Sequence, residues 1–144
     1  LKLKEGRKSV LEGVPKSLPA IVKAFRIQEK VRGIGFDWDN KSQVWKKVLE
    51  EIEELKVEVE KGDTDRIESE FGDVLFALTN YARFVDVNPE DALERTNKRF
   101  IKRFQIMEKM ITKEGLDLSD MKLSDMDVFW EKAKEEYCVS KDVN

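Results

Sequence analysis

The chain has 144 residues, enough for one domain with a core of its own. Lys plus Arg number 27 against 30 Asp plus Glu; a net charge of −3 argues against a general nucleic-acid binder, which is normally basic. There is no histidine and one cysteine, Cys138. Disulfide scaffolds, thiolate zinc sites, histidine triads and Glu-x-x-His di-iron centres are therefore excluded within one chain.

Residues 1–16, polar and basic with Gly6, Gly13 and Pro15, read as a linker or extension. Ser17 is expected to cap a helix reaching about Arg32. "GIGFDWDN" then forms a loop with Phe36 and Trp38 among acids. Asn40 with Gln43 three residues on resembles a capping box, opening a helix over 41–61 that Gly62 stops. Asp63 or Thr64 caps a helix over about 65–86. Asn88 and Pro89 start another, which runs to about Lys113 before Gly115. Residues 116–123 read as a loop. Ser124 with Asp127 predicts a short last helix through about Tyr137, leaving 139–144 as a tail. No segment alternates as a strand does, so the expected fold is all-α: a four-helix-bundle-like domain over 17–138 with a short C-terminal helix.

The helical wheel sorts the acids. On helix 41–61, Val44, Val48, Ile52, Leu55 and Val59 form the expected core stripe. Glu51 and Glu58 fall close beside it, Lys47 and Glu54 slightly further round, and Glu50 beyond them. Glu53 falls nearly opposite, in solvent. On helix 65–86 the stripe is Ile67, Phe71, Val74, Leu75, Leu78 and Ala82, with Glu70, Asp73, Ala77 and Asn80 along one flank. Phe76 lies far from that stripe. A short turn makes the two helices antiparallel, so Glu51/Glu54 and Glu70/Asp73 can face each other. A Glu-x-x-Glu on a helix is ordinarily a solvated face. Glu70 and Asp73 differ because they abut the apolar run VLFAL, and burying an unpaired carboxylate costs several kcal/mol. Four convergent carboxylates need cations among them, and oxygen ligands suit Mg²⁺, Mn²⁺ or Ca²⁺.

The words "EEIEE" (Glu50, Glu51, Glu54) and "EFGD" (Glu70, Asp73), with fifteen residues between the halves, resemble the signature of the MazG family of all-α nucleoside triphosphate pyrophosphohydrolases. So do "GVPKSLPAIVKAFRIQEKVRGIGFDW", "EFGDVLFALTNYAR", "NKRFIKRF" and "FWEKAK". The resemblance implies Mg²⁺-dependent hydrolysis of a nucleoside triphosphate to monophosphate and pyrophosphate, with Mn²⁺ as a substitute metal. It implies Glu51, Glu54, Glu70 and Asp73 as metal ligands; no general base is identifiable from the residues, and Glu50 and Glu54 stand as alternatives for orienting the attacking water. Lys47, Arg99, Lys102, Arg103 and Trp130, with Lys134 one turn later, fit the nucleotide-contacting positions; Asp73, Asn80 and Trp38 join the substrate candidates.

The residues alone leave alternatives open. Each tryptophan also reads as core, and the basic cluster as a solvated face. A narrower dUTP, dCTP or damaged-nucleotide pyrophosphatase fits the same acids. So does a non-catalytic helical dimerisation module, although a module that had lost catalysis would be expected to carry a damaged signature. A homodimer or larger assembly is expected from Phe76, Trp45 and Phe84 lying off their stripes. No stretch approaches the ~20 apolar residues of a membrane helix, and a cytoplasmic home is expected. The first residue is Leu, and the opening resembles the join between tandem MazG domains. The expectation is the second domain of a longer protein.

Overall fold

The computed structural model describes residues 9–143, all-helical with no strand among them. The helices are α1 (Ala20–Arg32), α2 (Lys41–Lys61), α3 (Thr64–Phe84), α4 (Pro89–Lys113) and α5 (Leu123–Val143). A 3₁₀ turn, Leu118–Asp120, lies within the predicted 116–123 loop. The described residues divide into two compact units between Ala92 and Leu93.

The caps explain most of the boundaries. Asn40 Oδ1 accepts from Gln43 N, while Gln43 Oε1 accepts from Asp39 N, one residue before the expected reciprocal partner. Gly62 ends α2 at φ 79°, a left-handed conformation that costs glycine nothing. Asp63 then caps α3 through the amides of Asp65 and Arg66. Asn88 accepts from Asp91 N at the start of α4.

Two ends differ from expectation. Ser17 is not a cap; Pro19 immediately precedes α1, and the residue before a proline is disfavoured in helical conformation, so the helix cannot start earlier. Ser124 already lies inside α5, which is as long as α2 and α3. The stretch expected as a tail is helical to Val143, because no Gly or Pro follows Tyr137 to stop it. Half of the expected 1–16 linker, residues 1–8, lies outside the described residues; Ser9–Val14 forms turns.

In the first unit α2 and α3 run antiparallel and pack along their length, and α1 packs on α3. Trp45 meets Tyr81 with ring centroids 4.9 Å apart. Gln28, buried on α1, donates from Nε2 to the Phe76 carbonyl at 2.9 Å. The inward faces are rotated from the predicted stripes. On α2 they carry Val44, Val48, Glu51, Leu55 and Glu58, a 4-3-4-3 spacing, while Ile52 and Val59 are exposed. On α3 they carry Ile67, Glu70, Val74, Ala77 and Tyr81, while Phe71, Leu75 and Leu78 are exposed. The face richest in large apolar side chains is thus not the one this chain covers.

The second unit has its own core, in which Met107, Ile111 and Ala133 are buried and Phe104, Phe129 and Trp130 pack against them.

Candidate metal centre

Glu51 from α2 and Glu70 and Asp73 from α3 bring carboxylate oxygens within 4.8 Å of one another. The turn explains this meeting. Glu51 lies eleven residues before Gly62 and Asp73 eleven after it; Glu54 lies eight before and Glu70 eight after. An antiparallel pair closing at Gly62 therefore sets the two acid pairs at matching heights.

The electrostatics show unmet demand. The Glu51 side chain is only 9% exposed, and Lys47 Nζ sits 2.9 Å from its Oε1. Its Oε2 is buried with no hydrogen-bond partner, as is Oε2 of Glu70. Desolvation first, then the charges of Glu54, Asp73 and Glu51, push the Glu70 carboxyl above its ordinary pKa. Glu54 lies outside the trio, yet near enough to Glu70 to help raise its pKa. The hydrogen bond to Glu51 raises the Lys47 pKa and keeps it charged. A resident lysine thus offsets one carboxylate, and two buried oxygens remain unmatched. An oxygen-only donor set with orphaned oxygens fits a hard divalent cation.

Glu50, Glu53, Glu54, Val57, Glu58 and Glu70 line an open hollow of about 550 Å³ beside the trio. Glu53 is exposed, as expected, yet it lines this hollow. Glu58 was passed over as a site candidate: its side chain is largely buried, Oε2 has no partner, and Lys61 reaches Oε1 only at 3.8 Å. Its position seven residues after Glu51, two turns along the same face, was the available signal.

The remaining candidates fall in different places. Asn80 sits two turns beyond Asp73 on α3, and its Oδ1 accepts from Arg83. Trp38 is on the α1–α2 loop, exposed beside Asp37. Arg99, Lys102, Arg103, Trp130 and Lys134 belong to the second unit. There Trp130 and Phe100 lie 5.3 Å apart, Arg103 stacks 5.2 Å from the Tyr137 ring with Nε buried and unpartnered, and Lys134 pairs with Glu131. Lys102 is exposed.

The family model for the MazG nucleotide pyrophosphohydrolase domain matches residues 40–114, more than half the chain and all of α2 and α3. The chain belongs to the MazG family. This MazG chain is 44% identical over 117 residues to the Thermotoga maritima nucleoside triphosphate pyrophosphohydrolase/pyrophosphatase MazG, covering 81% of this chain and 45% of that protein. It is 37% identical over 128 residues to the Escherichia coli K12 nucleoside triphosphate pyrophosphohydrolase, covering 88% and 49%. Identity reaches 47% over 128 residues with the uncharacterized Bacillus subtilis protein YabN, of which 26% is covered. The MazG chain spans about half the length of the first two relatives. No helix among the described residues is long and apolar enough to cross a membrane.

Proposed function

We propose that this MazG chain hydrolyses nucleoside triphosphates to nucleoside monophosphate and pyrophosphate, using Mg²⁺ held by Glu51, Glu54, Glu70 and Asp73. The observation that carries the reading is the pair of orphaned carboxylate oxygens, one on each of two facing helices. The names of the Thermotoga and E. coli relatives support the same activity. When bound, Mg²⁺, or Mn²⁺ in the same oxygen set, supplies a water of lowered pKa and neutralises charge on the phosphoryl oxygens.

The chain's own groups do the rest. Glu51 and Asp73, opposite each other across the helix pair, fix where the α-phosphoryl comes to rest. Glu50 or Glu54, at the open hollow, orients the attacking water. Lys47 turns from Glu51 towards the triphosphate once Glu51 is otherwise neutralised, adding positive charge where negative charge develops. Arg99, Lys102, Arg103, Trp130 and Lys134 are part of the same proposal as nucleotide contacts, with the arginines on the leaving pyrophosphate.

Part of this reading is a homodimer or larger assembly. Ile52 and Val59 on α2 and Phe71, Leu75 and Leu78 on α3 leave a run of large apolar side chains exposed in one copy, more than solvent ordinarily meets. Sedimentation at micromolar concentration is expected to give a dimer or larger, and a monomer contradicts it. The activity is tested by hydrolysis in ¹⁸O-labelled water with Mg²⁺. Label in the monophosphate is expected. Label in free phosphate, with a diphosphate as co-product, overturns cleavage at the α-phosphorus, and no hydrolysis across ribo- and deoxynucleoside triphosphates overturns the enzyme reading.

A further inference from the structure

Further along the same helix pair, at its end away from the Gly62 turn, stands a second charged cluster that the proposed chemistry does not use. Arg83 on α3 has a side chain only 8% exposed. Its Nη1 and Nη2 donate to the two carboxylate oxygens of Asp37 at 3.1 and 2.7 Å. Nη2 also donates to Asn80 Oδ1 at 2.7 Å. Asp37 lies on the α1–α2 loop and its Oδ1 accepts from the Trp38 amide as well, so the fork clamps that loop to α3.

The bond to Asn80 carries chemical information. A guanidinium has five donors and no acceptor. The atom of the Asn80 amide that faces it must therefore be the oxygen, however the amide is otherwise drawn. The amide nitrogen is left pointing away with no hydrogen-bond partner among the described residues, and it is not sealed from solvent. Asn80 is thus a donor of fixed sense. It lies seven residues after Asp73, which at about 100° per residue returns it to the same face of α3. At 1.5 Å per residue it stands about 10 Å along the axis from the acid that ends the metal trio. Between them on that face is Ala77, small and itself buried. A nucleoside extending from phosphates held at the acids along this side of α3 would meet that donor.

We propose that Asn80 is a specificity residue that donates a hydrogen bond to an acceptor on the nucleoside, and that Arg83 is the positioning residue that holds its amide in that sense. The proposal rests on the pyrophosphohydrolase reading and deepens it. The acceptor is a base carbonyl, a ring nitrogen or a sugar oxygen, and the two sources separate in the test.

The variant that inverts the chemistry is Asn80→Asp. It keeps an oxygen for Arg83, so the clamp survives, and it presents an acceptor where the nitrogen was. With wild-type hydrolysis as reference, KM for ATP is expected to rise about tenfold or more, with kcat within about threefold. Inhibition by inorganic tripolyphosphate, which has phosphates but no nucleoside, is expected to stay within about twofold of wild type. Arg83→Gln offers Asn80 an acceptor and lets the amide turn, so it is expected to raise KM in the wild-type background and add nothing in an Asn80→Ala background. Arg83→Lys, which keeps the charge and loses the fork, serves where the glutamine variant does not fold. Equal KM changes for ATP, GTP, CTP and UTP assign the acceptor to the sugar; unequal changes assign it to the base. An active wild type whose Asn80→Asp variant keeps its KM, or loses tripolyphosphate inhibition in parallel, overturns this inference alone. A wild type that hydrolyses no triphosphate overturns the activity and this inference together.

Discussion

The middle of the α2–α3 pair and its end away from Gly62 treat buried charge in opposite ways. At the middle Glu51, Glu70 and Asp73 crowd together, with Lys47 as the near cation and two oxygens unsatisfied. At the end, Asp37 faces the guanidinium of Arg83 with both oxygens bonded and Arg32 3.8 Å away. The Glu70 carboxyl is pushed above its ordinary pKa by desolvation and neighbouring acids; that of Asp37 is held below it, chiefly by the Arg83 hydrogen bond. A carboxylate matched within the chain contributes to holding the fold. Carboxylates crowded without enough cations store repulsion that an added ion relieves. The contrast separates structural charge from functional charge on one helix pair.

Removing a ligand at the crowded middle should have the largest effect. Asp73→Ala or Glu70→Ala should lower kcat at saturating Mg²⁺ by about a thousandfold, about 4 kcal/mol of barrier. In metal-free buffer the same variants should melt no lower than wild type, because repulsion goes with the acid. Normal turnover by Asp73→Ala would remove the metal assignment. At the matched end the order reverses. Asp37→Ala leaves Arg83 buried without its carboxylate and should cost about 2 kcal/mol of stability, between a surface and a fully buried pair. An unchanged denaturation midpoint would show that the clamp holds nothing.

Melting against pH in chelator sharpens the contrast. A raised folded pKa means that Glu70's contribution is fully present below its unfolded pKa and is lost as pH rises through the folded one. A depressed folded pKa means that Asp37's contribution is present above its unfolded pKa and is lost as pH falls through the folded one. Glu70→Gln should therefore flatten the decline on the rising side of pH, and Asp37→Asn the decline on the acid side. Identical profiles for the two variants would mean that the two regions do not differ as described. The smallest effect belongs to Glu53→Ala, an exposed side chain at the rim of the hollow. Its kcat/KM should stay within about threefold of wild type, against a loss of a hundredfold or more for Glu51→Ala. Equal losses would show that exposure does not sort these acids.

The same comparison shows what pattern alone could reach. Local signals carried the ends of α2, α3 and α4, since Asn40, Gly62, Asp63 and Asn88 act within a few residues of themselves. They also carried the acid trio, whose members lie within one hairpin. The rotation of the two stripes was out of reach. A wheel ranks faces by hydrophobicity, and Ile52, Val59, Phe71 and Leu75 outrank Glu51, Glu58 and Glu70, but the wheel does not say which face the chain itself covers. Asp37 and Arg83 were passed over because 46 residues separate them, and no helical period links a loop acid to a helix cation. The wheel puts Asn80 on one strip with Asp73, but it does not show Arg83 as its partner, nor therefore the direction of its amide.

The turn at Gly62 has a consequence for the order of folding. The trio spans 23 residues of chain, from Glu51 to Asp73, so it closes through the nearest-neighbour contacts of a single helical hairpin. Contacts of such short sequence separation have a low entropic cost of closure and form early. The repulsive acids are therefore brought together at the first step of collapse, before the α1–α2 loop is latched by Arg83. A divalent ion present during folding acts on the hairpin itself, and it should speed refolding as well as stabilise the finished chain.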